Sequence, residues 1–124
     1  MELIEACRNG DYEKVKEILQ SEVVDVNYKD DKTSPLIVAS MKGHDKIVEL
    51  LLHFGNTKVG DAINSGVDVN IKDADGETAL INACEFGREK VVELLLKHKD
   101  VDVNIVNNYG NSAFIKMTRK HTFN

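Results

Sequence analysis

The chain has 124 residues, 42% of them hydrophobic and 30% charged, with a single proline. That is about one domain's length, apolar enough to build a core and too apolar to stay disordered, and no run of about 18 apolar residues offers a membrane span. Asp plus Glu number 21 against 16 Lys plus Arg, and a net charge of −5 argues against nucleic acid as a partner, since phosphate-tracking surfaces concentrate positive charge.

The first segment, Met1-Glu2-Leu3-Ile4-Glu5, has no basic stretch ahead of an apolar one, so no secretory signal is read and the expected location is cytoplasmic or nuclear. From Leu3 to Leu19 the pattern gives a short helix, then Gly10, then a second helix, and a polar loop closes on Asp25-Val26-Asn27. Glu5, Lys14 and Glu17 stand where the next unit has Val38, Ile47 and Leu50. Charge in place of core is what the outward face of a terminal unit requires, so residues 1–24 are expected to be an N-terminal cap.

The second unit repeats the first at an offset of 33, from Pro35-Leu36 through Gly43 to Leu50-Leu51-Leu52. Leu36, Ala39 and Ser40 form one apolar stripe, and Ile47, Val48, Leu51 and Leu52 form another, at helical spacing. Gly43 to Asn70 spans 27 positions, whereas Gly10 to Asn27 and Gly87 to Asn104 each span 17. The extra residues fall at about 56–65. There Val59, Ala62 and Ile63 behind Thr57 have the spacing of a short amphipathic helix, and the segment is read as a tolerated insertion that packs Val59 and Ile63 back on the body, the alternative being a contact element.

The third unit follows at an offset of 44, from Ala79-Leu80 through Gly87 to Leu94-Leu95-Leu96, and closes on Asp102-Val103-Asn104. Gly110-Asn111-Ser112-Ala113-Phe114-Ile115-Lys116-Met117 opens a fourth, 34 residues after Gly76, without a second helix following it. Two readings stay open for this half repeat: an abbreviated cap, or the start of a unit that continues beyond residue 124. Lys116, Arg119, Lys120 and His121 are read as a basic, solvated helix face. A lone helix pair cannot bury these stripes, but pairs stacked in a row can.

The period, the register glycines Gly10, Gly43 and Gly87, the small residues Ala6, Ala39 and Ala83, and the openings Ser34-Pro35-Leu36 and Thr78-Ala79-Leu80 resemble the ankyrin repeat family. The resemblance implies an all-α solenoid of stacked antiparallel helix pairs with projecting hairpin-like loops. It implies one domain over residues 1–124, with three repeats, a C-terminal half repeat and an insertion in the second. The family's histidine after the opening leucine is replaced by Ile37, Ile81 and Ile115, so the bond it makes to the opening hydroxyl is expected to be missing.

Chemistry is sparse. His44, His53, His98 and His121 are scattered, and no zinc, calcium or phosphate-binding motif occurs. Asp30-Asp31 and Asp73-Ala74-Asp75 lie in inter-repeat loops, where Asp supports turns. Cys7 and Cys84 occupy equivalent positions two repeats apart, about 20 Å at about 10 Å per helix layer, which is beyond disulfide reach. No catalytic residue, metal site or cofactor is therefore expected, and the chain is read as a non-enzymatic, monomeric protein-interaction module. A non-catalytic regulatory fragment of a larger enzyme or effector is the second reading.

The resemblance implies binding through loop tips and the exposed side of the first helices. The residues just before the register glycines then become candidates: Met41, Lys42, Glu85 and Phe86. Met41 and Phe86 are apolar at positions that solvent would fill with polar groups, and such side chains are favoured at interface centres. Tyr109 extends the stripe, with Lys32, Asp75, Glu77 and Asn111 as a polar rim.

Overall fold

The computed structural model describes residues 2–21, 24–54, 58–59, 62–63 and 66–122. In chain order the helices are α1 (Glu2–Asn9), α2 (Tyr12–Leu19), α3 (Pro35–Lys42), α4 (Asp45–His53), α5 (Ala79–Glu85), α6 (Glu89–Leu96) and α7 (Ala113–Thr122), with strands β1 (Lys58–Val59) and β2 (Ala62–Ile63) between α4 and α5. Within each repeat the two helices pack together. Across repeats α1, α3, α5 and α7 stack into one row, while α2, α4 and α6 stack into a second.

Helices this short are marginal alone, so capping and packing must define them. Asp11 accepts the Lys14 amide at 3.1 Å to start α2. The opening hydroxyls do the same for the first-row helices: Ser34, Thr78 and Ser112 accept the amides of Ile37, Ile81 and Ile115 at 3.3, 3.2 and 3.3 Å. The hydroxyl that would have met a histidine instead caps its own helix, a bond that typically stabilises by about 1 kcal/mol. The isoleucines that replaced the histidine join the interior at Ile37 and Ile81.

Successive repeats grip one another through backbone groups. His44 places Nε2 3.3 Å from the Arg8 carbonyl, and Arg88 Nε donates to the Met41 carbonyl at 2.9 Å, each satisfying the end of the preceding first-row helix. These side chains pass directly over the register glycines. Gly43 has φ +75°, and a Cβ there would lie 2.8 Å from Arg88 Cδ, so both conformation and crowding demand glycine. In the loops, Asn27 donates to the Gly66 carbonyl at 3.0 Å and accepts the Asp68 amide at 2.6 Å. Asn70 repeats the pair with the Asp100 carbonyl at 2.8 Å and the Asp102 amide at 2.8 Å.

The core is a continuous slab between the rows, with Leu3, Ile47, Leu51, Val91 and Leu95 wholly enclosed. Each such side chain contributes about 1.5–3 kcal/mol relative to exposure. Cys7, Ser40 and Cys84 form one column in it. Both cysteines are free thiols, as their separation required, and the Ser40 hydroxyl is buried without a hydrogen-bond partner.

The insertion corrects one expectation. Val59, Ala62 and Ile63 do not form a helix, because β1 and β2 pair antiparallel, with Lys58 opposite Ile63 and Val59 opposite Ala62. Between the strands stands Gly60-Asp61, a dipeptide suited to a two-residue hairpin turn and poor for a helix. Thr57, expected as a helix cap, and the packing of the Val59 and Ile63 side chains lie outside the described residues.

Candidate functional site

The loop tips are built by one repeated device. Asp30 Oδ1 accepts the amides of Lys32 and Thr33, both at 2.8 Å; Asp73 Oδ1 accepts those of Asp75 and Glu77, both at 2.9 Å; and Asn107 Oδ1 accepts those of Tyr109 and Asn111 at 2.9 and 3.0 Å. The bonds to Lys32 and Thr33 also hold the Asp30 carboxyl below its ordinary pKa. These aspartates are turn-makers and present no free carboxylate cluster. The last two tips are tied together, since Asn108 donates its backbone amide to the Asp75 carbonyl at 2.9 Å and its side-chain amide to the Ala74 carbonyl at 3.1 Å.

The candidate residues divide into two groups on this frame. Phe86, just past the end of α5, is 44% exposed, and Tyr109, at its tip, is 79% exposed. Lys42, Lys32 and Asp75 are exposed around them, while Met41 is half-buried and packs on the core. Asn111 is half-buried and pairs with Asn107 across the turn, its carbonyl accepting the Asn107 amide at 2.9 Å. Glu77, expected in the polar rim, and Glu85, expected beside Phe86, meet in one cluster instead. Lys116 of α7 reaches Glu85 at 2.8 Å and Glu77 at 3.5 Å, and Asn107 donates to Glu77 at 3.1 Å.

Lys116 is therefore the residue the sequence reading misplaced. It is largely buried within this cluster instead of lying on a solvated basic face, and its bond to Glu85, with the attraction of both glutamates, raises its pKa above the ordinary lysine value. The available signal was alignment. Shifted back 34 positions, Lys116 falls on Asn82, which is buried and bonds the Thr78 carbonyl at 3.2 Å. The column is an interior one in which polarity must be matched, and the two glutamates match it. The side chains of Arg119, Lys120 and His121, the rest of that cluster, lie outside the described residues.

Burial pushes the Cys7 thiol up to about 12 and also raises that of Cys84, so both are held protonated and unreactive. Among the described residues, no three His, Cys, Asp or Glu side chains are grouped to hold a metal ion, and no helix is long and apolar enough to cross a membrane. What the frame offers is a rigid surface carrying exposed aromatic and charged side chains on tied loops and helix ends.

A family model for ankyrin repeats, in three copies, matches residues 3–61 and 54–121. The chain belongs to the ankyrin repeat family. Ankyrin repeats are protein-interaction modules and are themselves non-catalytic. Similar curated proteins include the probable E3 ubiquitin-protein ligase XBOS32 of Oryza sativa subsp. japonica, 33% identical over 87 residues, and the E3 ubiquitin-protein ligase XBAT33 of Arabidopsis thaliana, 36% identical over 87 residues. Each of these matches covers 68% of this chain and 15% of the relative. The BTB/POZ domain-containing protein 3 of Schizosaccharomyces pombe is 43% identical over 56 residues, covering 44% of this chain and 11% of that protein. The chain thus spans a small part of the length of the proteins it matches.

Proposed function

We propose that this ankyrin repeat chain binds a protein partner through the face carrying Phe86, Met41 and Tyr109, with Lys42, Lys32 and Asp75 at its edge and the Glu77–Lys116–Glu85 cluster as its rigid floor. The observation that carries the reading is Phe86. Phe86 is 44% exposed at the end of a capped helix and is not part of the hydrophobic core or packed against it. Aromatic side chains on a preformed surface are favoured anchors, because little ordering entropy is lost when they are covered. The net charge of −5 favours protein over nucleic acid as the partner, and two unpaired cysteines suit a reducing cytoplasmic or nuclear setting.

The test starts from partners found by proximity labelling in cells and repeated with purified components. Phe86→Ala should weaken the specific complex by about 2 kcal/mol or more, with little change in melting temperature. A fall in melting temperature without a specific loss of binding would assign Phe86 to the fold and remove the proposed face.

A second reading is favoured by the relatives. Four of the similar proteins are E3 ubiquitin-protein ligases by name, two of them as probable ones, and this chain matches 15% of the length of each. On that reading the chain is the non-catalytic recognition segment of a larger enzyme. Phe86→Ala in the intact protein would then impair modification of the bound partner while sparing the catalytic step itself.

A further inference from the structure

Charge is unevenly matched on the proposed face. Every carboxylate of the first-row helices is ion-paired: Glu2 with Lys14, Glu5 with Arg8, and Glu85 with Lys116, which also holds Glu77. Lys42, exposed in the last turn of α3, has no ion pair or side-chain hydrogen bond among the described residues. Arg88 spends only Nε, on the Met41 carbonyl, and its two terminal nitrogens are unbonded among the described residues. The uncompensated charge at these helix ends is therefore positive, in a chain whose net charge is −5.

The repeat sets these cations beside the apolar pair. Lys42 and Phe86 occupy the same position of adjacent repeats, at the ends of α3 and α5, which stack on one another. Arg88 joins the two ends. It starts two residues after Phe86, passes so close to Gly43 that a Cβ there would lie 2.8 Å from its Cδ, and stops at the Met41 carbonyl. Exposed charges act over about 8–10 Å at ordinary salt, which is also the spacing of packed helices. Lys42 and Arg88 thus bear on whatever covers Met41 and Phe86. The carboxylates that follow in sequence, Asp45 and Glu89, stand in the first turns of α4 and α6, where helix N-termini favour them. The loop tips, by contrast, mix Asp31 and Asp75 with Lys32, all exposed.

We infer that the partner bound at the proposed Phe86 face, on which this reading rests, presents an acidic linear segment there. An aliphatic or aromatic side chain of that segment lies against Met41 and Phe86, and Asp or Glu side chains lie over Lys42 and Arg88. The free edge of the Arg88 guanidinium suits a carboxylate, which it can grip with two parallel bonds. Its position is already fixed by the Met41 carbonyl, so little ordering entropy is lost on binding. In an extended chain each residue advances about 3.3 Å, so a helix spacing of about 10 Å puts the acidic residue about three positions from the anchor. Asp75 at the tips disfavours the reverse orientation, with the acidic end over the loops.

A displayed library of random linear peptides, selected on the full-length chain and counter-selected on its Phe86→Ala variant, supplies the probe. Enriched sequences should carry Asp or Glu about three residues from an aliphatic or aromatic one. A synthetic peptide of the most enriched sequence should lose affinity at least about tenfold on Lys42→Glu and a few-fold on Lys42→Gln, and should bind more weakly as salt rises. Lys42→Gln keeps the readout if charge reversal disturbs the end of α3. Lys99→Glu makes the same change of net charge beyond the C-terminal end of α6, and should bind within about twofold of wild type. Melting temperatures of the lysine variants should stay near wild type, since neither side chain has a partner among the described residues. Phe86-dependent peptides without an acidic excess, or undiminished binding to Lys42→Glu, would overturn the inference and leave the face standing. A library that yields no peptide requiring Phe86 would remove the face and the inference with it.

Discussion

At the N-terminal end, Lys14 of α2 bonds Glu2 of α1 at 3.0 Å, Arg8 pairs with Glu5, and Glu17 stands in solvent; at the C-terminal end the corresponding solvent-facing side chains include Leu96, Val103 and Phe114. The same helix pair thus ends in charge on one side and in aliphatic and aromatic carbon on the other. Exposed ion pairs of this kind add little stability. Their effect is to make the N-terminal surface costly to cover, since charges lose hydration when buried, whereas covering the C-terminal surface is favourable. Interior repeats are clamped from both sides, and the last one lacks a following clamp among the described residues.

The largest expected effect comes from that clamp. Gly43→Ala places a Cβ in the left-handed conformation and against Arg88, so it should destabilise by about 3 kcal/mol, the strain of positive φ plus displacement of the side chain that caps α3. Gly87 has φ +67°, and a Cβ added there would meet nothing within 4 Å, so Gly87→Ala should cost only the strain, about 1 kcal/mol. Thermal melts of the two variants decide the matter, and equal losses would mean that the crossing side chain is not a clamp.

A smaller effect is expected where α7 is tied back to α5. Lys116→Met keeps the apolar stem but strands Glu85 and Glu77, and should cost about 1–2 kcal/mol near neutral pH. Because the folded-state pKa of Lys116 is raised, its stabilisation is complete below the ordinary lysine value of about 10.4 and is lost as pH rises through the higher folded value. The gap between wild type and variant, measured by denaturant titration, should therefore hold at pH 9 and shrink as pH rises beyond the ordinary lysine value. A gap that persists there would assign the effect to packing.

The smallest contrast sharpens the difference between interior and end. Asn70→Ala removes two bonds to the next loop and should cost about 1 kcal/mol, while Asn104→Ala, whose side chain has no partner among the described residues, should leave the melting temperature nearly unchanged. Comparable losses at the two positions would show that Asn104 already has a structural partner.

Much of this molecule was legible in its residues because its information is local and repeated. Gly10, Gly43 and Gly87 gave the register, the apolar stripes gave the helices, and Glu5, Lys14 and Glu17 gave the polarity of the first repeat's outer face. Phe86 and Tyr109 were legible as site candidates because their positions within the repeat place them beyond the core. The insertion was misread where helical spacing at Val59, Ala62 and Ile63 competed with a turn-forming Gly60-Asp61. In so short a segment, three apolar residues fit either period.

Lys116 shows the other limit. Arg119, Lys120 and His121 follow it in sequence, but its partners, Glu77 and Glu85, lie 39 and 31 positions away and meet it only when α7 stacks on α5. Sequence alone determined the repeat, its register and the polarity of its first face, since each follows from side-chain type at a fixed local spacing. Only the tertiary structure decided which charges are neutralised, which asparagines are satisfied and which apolar side chains stay in water. Those outcomes depend on what the neighbouring repeat brings into contact, and a burial or an ion pair belongs to both partners at once.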